Sequence, residues 1–454
     1  MIHVGRYGNG VFKVEAGGQV STGNAYLGYY ADSTGSALIS GDGSVWTVAG
    51  DLHVGYSGTG KLTVTDGGVV NGRTLFAAIE DVLGNGTINV KGAVVDGELN
   101  FEAAGATPSV PFGSGGRLNI SPDGSSSMGI GAKGTGTMWI TGGVVLRSVD
   151  GYLGQAAGSN GTATVSGAGS KWVNSGALYV GNSGSGTLSI EASGQVSNTV
   201  AYVGRNGGAV GAVSVSGNGS TWNSSGVLYV GYSGAGNITA TGGGKINSNG
   251  AYLGYGSGSE GTATVSGAGS IWTNAGELQV GAQGRATLNI ETGGQVSNTA
   301  AYVGYSTHSS GTATVSGTGS SWTNKGLQVG VSGSGRVSVA SGAMLADLYC
   351  HLGKYAGSQG EMTVSGAGTF WANGDDVVVG YAGHGTLNVS DGAYMNSDWA
   401  CLGLDAGSTG SANLEGSGTT WTNYGEFYVG RRGTGTLNIK NGAVVTNPAA
   451  YLGF

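Results

Sequence analysis

The chain has 454 residues, and 98 of them are glycine, about three times the usual share of roughly 7%. With 4 prolines and no three-residue glycine period, the chain is not collagen. Charged residues make up 9% and hydrophobic residues 39%, the opposite of the balance in disordered chains. The net charge is −7, and the sequence contains no basic patch. No apolar run approaches the roughly 18 residues of a membrane helix. Composition therefore predicts a folded all-β protein with no nucleic-acid partner.

A recurring Val-Gly or Leu-Gly pair marks an internal repeat along the chain. Near the beginning its apolar residues are Val4, Leu27 and Val54, which are 23 and 27 residues apart. The same two spacings alternate from Ile130 to Leu452, with one step of 26 residues. Each unit of about 50 residues is thus two half-repeats, and each half-repeat predicts one coil of a solenoid. With three coils between Val54 and Ile130, we predict about 18 coils.

The segment 72–130 departs from this pattern, since it holds three of the prolines and a local density of charge. Its stretch "RTLFAAIEDVLG" predicts a short helix or a bulged loop. Asp96 and Glu98 are two residues apart on a predicted strand, so we expect them to share one face. Together with Arg73 they are a candidate binding site, and the pair alone is a candidate hydrolytic pair. The alternative is a decayed repeat whose charges are merely solvated.

Beyond residue 130, each half-repeat contains three short β-like runs separated by glycine turns. One coil has "LYVG" (178–181), "TLSI" (187–190) and "QVSN" (195–198). Equivalent runs of successive coils would pair in parallel about 4.8 Å apart, and the twist of L-residue strands favours a right-handed winding. The predicted fold is a right-handed parallel β-helix (β-solenoid) with three short strands per coil. We expect one rod over residues 1–454, with 72–130 as an irregular segment within it.

The third run of alternate coils carries tryptophan, and smaller apolar residues occupy the same position between them. In the regular region the tryptophans at this position are Trp172, Trp222, Trp272, Trp322, Trp371 and Trp421. Large residues alternating with small ones fill a narrow core, so we predict core packing rather than a ligand platform. Asparagine recurs two residues later, as at Asn174 and Asn274. This pattern predicts corner residues in the left-handed conformation, or a stacked amide ladder, with a polar binding row as the alternative.

The residue before each Val-Gly or Leu-Gly mark forms a second column, which strand alternation turns outward. Tyrosine fills it in five consecutive coils and again later: Tyr152, Tyr179, Tyr202, Tyr229, Tyr252 and Tyr302. Stacked tyrosines stabilise a sheet by about 0.2–1 kcal/mol per pair, which is a sufficient reason for the column. An exposed aromatic stripe could also stack on sugars or on a second rod, so these six residues are the candidate binding surface.

The two cysteines, Cys350 and Cys401, are predicted to be free thiols. Cys401 belongs to the tyrosine column, whereas Cys350 lies one position away from it and faces the other side. A whole coil, marked by Val379, separates them by about 9.6 Å along the axis. A disulfide requires Cα atoms within about 7 Å.

Catalytic patterns are weak in this chain. Five scattered histidines lack metal-ligand spacing, no Ser-His-Asp arrangement stands out, and the Gly-rich turns are too common to indicate phosphate loops. We therefore predict no enzyme, no cofactor and no metal. β-Helices also host polysaccharide-active enzymes, so such an enzyme at the irregular segment is the alternative.

The repeats "LYVGNSGSGTLSIEASGQVSNTVAYVG" and "GSEGTATVSGAGSIWTNAGELQVG" resemble those of autotransporter passengers of type V secretion and of related sorted bacterial surface proteins. The resemblance covers nearly the whole chain apart from 72–130. It implies a β-helix on the surface of a Gram-negative bacterium, secreted and acting in adhesion, aggregation or biofilm. Members of that family normally carry an N-terminal signal and a C-terminal barrel in the outer membrane, so we expect the chain to be a fragment of a longer protein.

The sequence thus favours a non-enzymatic cell-surface adhesin or self-associating passenger rod. Its expected partners are itself, through lateral or end-to-end association, or surface glycans. A passive stalk that presents a missing tip domain is a further alternative. Membrane anchoring is expected outside this fragment.

Overall fold

The computed structural model describes residues 1–102 and 108–453. The described chain is almost entirely β-strand, with one 3-10 helix at Ile79–Asp81. The strands stack in parallel in a β-solenoid of about 18 turns, so the predicted fold class is confirmed. The chain divides into two compact units, Met1–Ala212 and Val213–Phe454. The prediction of one continuous rod stays a prediction.

Three sheets run along each unit, and we name them by what they carry. The ladder sheet carries the outward tyrosine column, the long-strand sheet has strands of mostly seven residues, and the tryptophan sheet carries the tryptophan column. In the first unit the ladder sheet comprises Ile2–Val4, Gln19–Thr22, Ala25–Leu27, Val45–Val54, Val69–Ala77, Thr87–Val95, Ser109–Phe112, Gly116–Ile120, Met128–Ile130, Gly151–Leu153, Ala177–Val180 and Val200–Val203.

The other strands of the first unit form three groups. The long-strand sheet comprises Gly97–Phe101, Thr135–Ile140, Asn160–Ser166 and Ser185–Glu191, and the strand Val210–Ser216 contains the boundary between the units. The tryptophan sheet comprises Val145–Ser148, Lys171–Asn174 and Gln195–Asn198. A separate small sheet at the beginning of the chain comprises Asn9–Glu15, Thr34–Ser40, Thr59–Thr65 and Val82–Leu83.

The second unit repeats the same three sheets without the irregularities of the first. Its ladder sheet comprises Leu228–Val230, Ala251–Leu253, Glu277–Val280, Ala300–Val303, Gly326–Val329, Tyr349–Leu352, Asp376–Val379, Trp399–Leu402, Glu426–Val429 and Ala449–Leu452. Its long-strand sheet comprises Ala235–Thr241, Glu260–Ser266, Arg285–Glu291, Ser310–Ser316, Ser334–Ala340, Gln359–Ser365, His384–Ser390, Thr409–Glu415 and Thr434–Lys440. Its tryptophan sheet comprises Thr221–Ser224, Lys245–Ser248, Ile271–Asn274, Gln295–Ser297, Ser321–Thr323, Met344–Asp347, Phe370–Asn373, Tyr394–Ser397, Thr420–Asn423 and Val444–Thr446.

Alternation of side chains explains why these short runs form strands. In Asn160–Ser166, Ala163 and Val165 are fully buried, whereas Thr162 and Thr164, which alternate with them, are partly exposed. One coil buries too few apolar residues to form a core of its own. The neighbouring strand places Leu188 and Ile190 directly on Ala163 and Val165, so stacking makes the apolar interior continuous.

The corners between strands need glycine at places where the chain turns sharply against the next coil. Gly154 follows a ladder strand with φ +66°, and a Cβ atom there would lie 2.1 Å from the carbonyl oxygen of Ser185. Only glycine combines this left-handed backbone with so close an approach. The abundance of glycine is therefore partly a requirement of the corners.

A buried hydroxyl joins successive coils at the corner before each tryptophan strand. Ser320 is 1% exposed; its Oγ accepts the Gly293 N–H at 2.9 Å and donates to the Ser316 carbonyl at 2.7 Å. Thr369 makes the equivalent pair of hydrogen bonds to Gly342 and Ser365. This bridging role explains why the motif "GTGSSW" and its relatives recur.

We expect Ser320→Ala to destabilise the second unit by about 1–3 kcal/mol, because the partly buried Gly293 N–H loses its acceptor and the Ser316 carbonyl loses its hydrogen bond from the buried Ser320 hydroxyl. Ser320→Thr is the matched control and should cost much less, since Thr369 makes the equivalent two hydrogen bonds at its own corner. Urea unfolding of the three proteins measures both effects. Equal losses in the two variants would contradict the bridging role.

The tryptophan column forms a buried stack, as predicted. Trp272 is 0% exposed and lies between Ile246 and Val296 of the adjacent coils. Its Nε1–H donates to Ser248 Oγ at 3.0 Å. The left-handed conformation predicted for the asparagine column is wrong: Asn274 does not have a positive φ and is 2% exposed. These amides point inward, because buried polar groups of the preceding coil need them as hydrogen-bond partners, as in the Ser248 Oγ to Asn274 Oδ1 contact of 3.0 Å.

The irregular segment is built into the first unit, where it contributes strands to the ladder sheet, to the small sheet (Val82–Leu83) and to the long-strand sheet (Gly97–Phe101). Its short 3-10 helix confirms the predicted helix or bulge, and Ser109–Phe112 pairs antiparallel with Gly116–Ile120. Residues 103–107 of this segment lie outside the described residues. The segment is therefore a local change of topology within the stack of coils.

The two cysteines are free and buried. Cys350 faces the interior, as expected from the register, and Val377 of the intervening coil lies directly on it. Cys401 occupies the tyrosine column but is 0% exposed, so the expectation that this position faces solvent is wrong there. The larger Trp399 and Tyr428 side chains on the same face shield the small thiol. Burial raises the pKa of Cys401 to about 11, which makes the thiol unreactive at neutral pH.

Candidate functional site

The candidate surface is the outer face of the ladder sheet, where the predicted tyrosines stack. In the first unit the rings of Tyr152 and Tyr179 are 4.8 Å apart at 13°, and those of Tyr179 and Tyr202 are 5.3 Å apart at 8°. In the second unit Tyr229 and Tyr252 are 5.5 Å apart at 15°. Strand pairing sets this spacing, because residues in register repeat at each coil.

The ladder continues to later coils with other residues in the same register. Tyr302 lies between Gln279 and Gln328, so its ring has no stacked tyrosine in the adjacent positions of the column. It makes an edge contact of 5.3 Å with Tyr305. The six predicted tyrosines thus belong to one type of position, but Tyr302 lies outside the stacked runs.

A second aromatic row, three residues after the first, was missed by sequence reasoning. Tyr232 and Tyr255 stack at 4.9 Å and 15°, and Tyr232 meets the ring of Tyr229 edge-on at 5.1 Å. Tyr56 and Tyr305 of this row are 51% and 39% exposed, so this row offers more accessible ring surface than the half-buried first row. The signal was present in the sequence as the tyrosine directly after many of the Val-Gly and Leu-Gly pairs.

Cations take the place of tyrosine in the second row at several coils. Arg205 lies over the rings of Tyr179 and Tyr202 at 4.7 and 5.4 Å. Lys354 lies over the ring of Tyr381 at 3.4 Å. Such contacts hold the cation against the electron-rich ring face. The ladder face is therefore aromatic with interspersed positive charge.

Burial of the first row affects its phenols. Desolvation raises the pKa of Tyr152, Tyr179, Tyr252 and Tyr302 above the ordinary value. The hydroxyl groups are consequently neutral at physiological pH. The face can donate hydrogen bonds and stack, but it provides no phenolate nucleophile.

The first row is interrupted in the irregular segment. After His3, Tyr26, His53 and Phe76, the column passes through Val94 and Gly129 before reaching Tyr152. Val94 is fully buried and Gly129 has no side chain. The Phe76 and Tyr152 rings meet across this interruption, 6.2 Å apart at 73°.

The three predicted residues of the irregular segment do not form one site. Arg73 makes an ion pair with Asp51, with Nη2 3.0 Å from Oδ1. Asp96 is 8% exposed at the corner between Thr87–Val95 and Gly97–Phe101, where Oδ1 accepts the Gly134 N–H at 2.9 Å. Glu98 is exposed on the long-strand sheet opposite Thr137.

The expectation that Asp96 and Glu98 share a face is wrong, because Gly97, with φ +94°, turns the chain between two sheets. Burial raises the pKa of Asp96, while backbone N–H groups of Gly134 and Lys133 partly offset that shift. The Asp96 carboxylate accepts these hydrogen bonds and thereby fixes the corner. The geometry gives no support to a hydrolytic pair.

Within residues 1–102 and 108–453, no three His, Cys, Asp or Glu side chains converge in a way that could hold a metal ion. No helix of these same ranges has the length and apolar character needed to span a membrane.

No protein-family model and no curated protein matches the chain. Among solved structures, the chain is similar to the TibC-catalyzed hyper-glycosylated TibA55-350 fragment, with 16% identity over 88% of this chain and 99% of that chain. The TM-score is 0.34, too low for the similarity to bear on function.

Proposed function

We propose that the chain is a non-enzymatic segment of a bacterial cell-surface protein, secreted or outer-membrane-attached, and that its ladder face mediates adhesion or aggregation of the kind seen in biofilms. The observation that carries this proposal is the double row of stacked aromatic side chains on one outward face. The first row is half-buried and stacks along the sheet, whereas rings such as Tyr56 and Tyr305 of the second row lie exposed beyond it. Exposed aromatic surface that repeats along a solenoid is suited to contacts with a second copy or with sugar rings.

The repeated architecture suits this role. Each coil contacts mainly its neighbours, so a solenoid can be lengthened to add further contact sites of the same kind. Many weak contacts then act together with a high effective concentration, as in other multivalent systems. A single aromatic pair contributes about 0.5–1.5 kcal/mol, which is enough for adhesion only when repeated.

The test is the settling of otherwise non-aggregating bacteria that display this chain, with and without competing sugars. We expect clumping, and we expect Tyr56→Ser with Tyr305→Ser to weaken it about tenfold, because two exposed rings are lost from the face. Tyr424→Ser is the matched control, since Tyr424 is 60% exposed at the corner before Glu426–Val429 and belongs to neither aromatic row.

Each outcome of this test has a separate meaning. Clumping that sugars do not block indicates association between copies, and attachment that one sugar blocks indicates a glycan. Clumping that is insensitive to the ladder variants, or equally sensitive to Tyr424→Ser, would contradict the ladder as the contact face. The half-buried pair Tyr202→Ser with Tyr229→Ser tests the inner row in the same assay.

A further inference from the structure

We propose that the interruption of the aromatic ladder in the first unit is a binding cleft for one ring of a neutral sugar. This inference rests on the proposed adhesive function and assigns a ligand class to one place on the ladder face. The cleft is defined by Phe76 and Tyr152 with Asp51, Arg73, Ser126, Asp150 and Gln155.

The backbone makes room for the cleft by omitting two rings from the column. A Cβ atom on Gly129 would lie 2.2 Å from the carbonyl oxygen of Tyr152, so a larger residue has no space there. With Val94 buried as well, the rings of Phe76 and Tyr152 border a depression. Their partners His53 and Tyr179 stack on them from outside, at 4.4 and 4.8 Å, and hold them in place.

A hollow of about 330 Å³ lies on one side of this ring pair, lined by the two rings and by the polar residues of the cleft. That volume is within the range of small-molecule sites, roughly 300–1,000 Å³. A second hollow of about 210 Å³ is lined by Phe76 and includes Lys133 and Asn182. Gln155 lines both, so the two hollows share one wall.

Two oxygen atoms of the cleft lack hydrogen-bond partners among the described residues. They are Ser126 Oγ, on a residue that is 2% exposed, and Gln155 Oε1. Leaving a buried polar group unpaired costs about 1–3 kcal/mol. Buried corner serines elsewhere avoid this cost, as Ser159 does by donating to the Ala156 carbonyl at 2.7 Å.

The two unpaired oxygens therefore support the binding of a ligand at this place. A hydroxyl-bearing ligand would supply the missing hydrogen bonds. Because both oxygens are covered in this structure, side chains that line the hollow must shift for a ligand to reach them.

Charge in the cleft favours an uncharged ligand. Arg73 compensates Asp51 through contacts of 3.0 and 3.2 Å from Nη2 to the two carboxylate oxygens. Asp150 is engaged by the Ala177 N–H at 2.7 Å. Burial lowers the pKa of His53 to about 4, so its imidazole is neutral at physiological pH. The remaining negative charge disfavours phosphate and acidic sugars.

A neutral pyranose matches these features together. The C–H groups of one sugar face carry slight positive charge and pack on the electron-rich face of an aromatic ring. Its hydroxyl groups can pair with Ser126, Gln155 and the Asp51–Arg73 pair around the ring. Few other neutral ligands combine an apolar face with hydroxyl groups at its edge.

The test is saturation-transfer NMR and calorimetry on the whole chain with neutral mono- and oligosaccharides of glucose, galactose, mannose and N-acetylglucosamine. We expect one of these sugars to bind, and Gln155→Leu or Phe76→Leu to weaken binding at least about tenfold, the factor that ~1.4 kcal/mol represents. Tyr424→Leu, at an exposed corner outside both aromatic rows, should leave binding unchanged.

Ser126→Ala separates recognition from folding. It removes an unpaired buried hydroxyl, so thermal stability should be kept or raised while sugar binding falls. No binding by any neutral sugar would overturn the cleft, and so would binding that the cleft variants leave intact or that Tyr424→Leu abolishes equally. The proposed adhesive function fails separately, in the settling assay, if displaying bacteria neither clump nor attach.

Discussion

Trp272→Ala is expected to destabilise the second unit by about 3–5 kcal/mol, among the largest effects of any single substitution in this chain. The indole is 0% exposed and fills the interior between Ile246 and Val296. Removing it leaves a cavity that the strands cannot close, because hydrogen bonds to both neighbouring coils fix their spacing. It also removes the donor to Ser248 Oγ, 3.0 Å away in the preceding coil.

Urea unfolding and native-state hydrogen exchange together measure this effect. Exchange should accelerate most in the amides of the coils that contain Ile246 and Val296, since solenoid coils depend on their nearest neighbours. Trp399→Ala is the control, because Trp399 is only half-buried on the ladder sheet and borders Tyr428 at 5.8 Å. Losses of equal size in the two variants would show that Trp272 is not a core residue.

The regular coils could be predicted from sequence because a single rule, repeated many times, fixes them. Alternation within "TLSI" assigns Leu188 and Ile190 to the interior, and the structure places both there fully buried. Register follows from the period, since Tyr152 can lie beside Tyr179 only if each coil closes in one half-repeat. Alternation and period can be checked again in every coil, so a wrong assignment in one coil does not carry over to the others.

The irregular segment could not be predicted in the same way, because its geometry depends on single residues. Gly97 turns the chain between sheets, which places Asp96 in a corner and Glu98 on an open face. Periodicity contains no information about one such turn. The cleft depends likewise on the absence of a ring at Gly129, and that absence gains meaning only when the flanking rings of Phe76 and Tyr152 are located in space.

The inward asparagine column shows a further limit of pattern reasoning. Alternation places an amide two residues after an inward tryptophan on the inward side, but the prediction of corner residues assumed that the strand had already ended there. The structure shows serine, asparagine and one carboxylate, Asp347, sharing the column, and each accepts a hydrogen bond from a tryptophan of the next coil. Asp347 was identifiable as the acidic member of a column that is otherwise uncharged.

Asp347 should make the stability of the second unit depend on pH. It is 5% exposed, and its Oδ2 accepts the Trp371 Nε1–H at 3.0 Å while Oδ1 accepts from Asn373 Nδ2. Burial raises the pKa of this carboxyl to about 7, and these two hydrogen bonds only partly offset the shift. The folded state therefore binds a proton that the unfolded state releases near pH 3.8. Stability from this group is present below about pH 4 and is lost as the pH rises to about 7.

Asp347→Asn should abolish this dependence, because asparagine keeps an acceptor for the tryptophan, as Asn298 does for Trp322 at 2.8 Å. Since one pKa unit corresponds to about 1.4 kcal/mol, we expect the variant to match the natural chain near pH 4 and to exceed it by about 4 kcal/mol at pH 8. Urea unfolding at several pH values measures the difference. His351, whose pKa burial lowers to about 4, has the opposite dependence but is present in both proteins and cancels.

The reciprocal substitution tests whether the column position itself causes the effect. Asn298→Asp places a carboxyl in the equivalent position one full repeat, or two coils, away, so it should introduce a loss of stability between about pH 4 and pH 7. Asp398→Asn is the surface control, because Asp398 is exposed and its removal should change stability by less than about 0.5 kcal/mol. If Asp347→Asn changed the free energy of unfolding by the same amount at every pH, the pKa of Asp347 would be the same in the folded and unfolded states. The carboxyl would then be ionised at neutral pH in the folded protein. Burial in the tryptophan column would then not govern its charge.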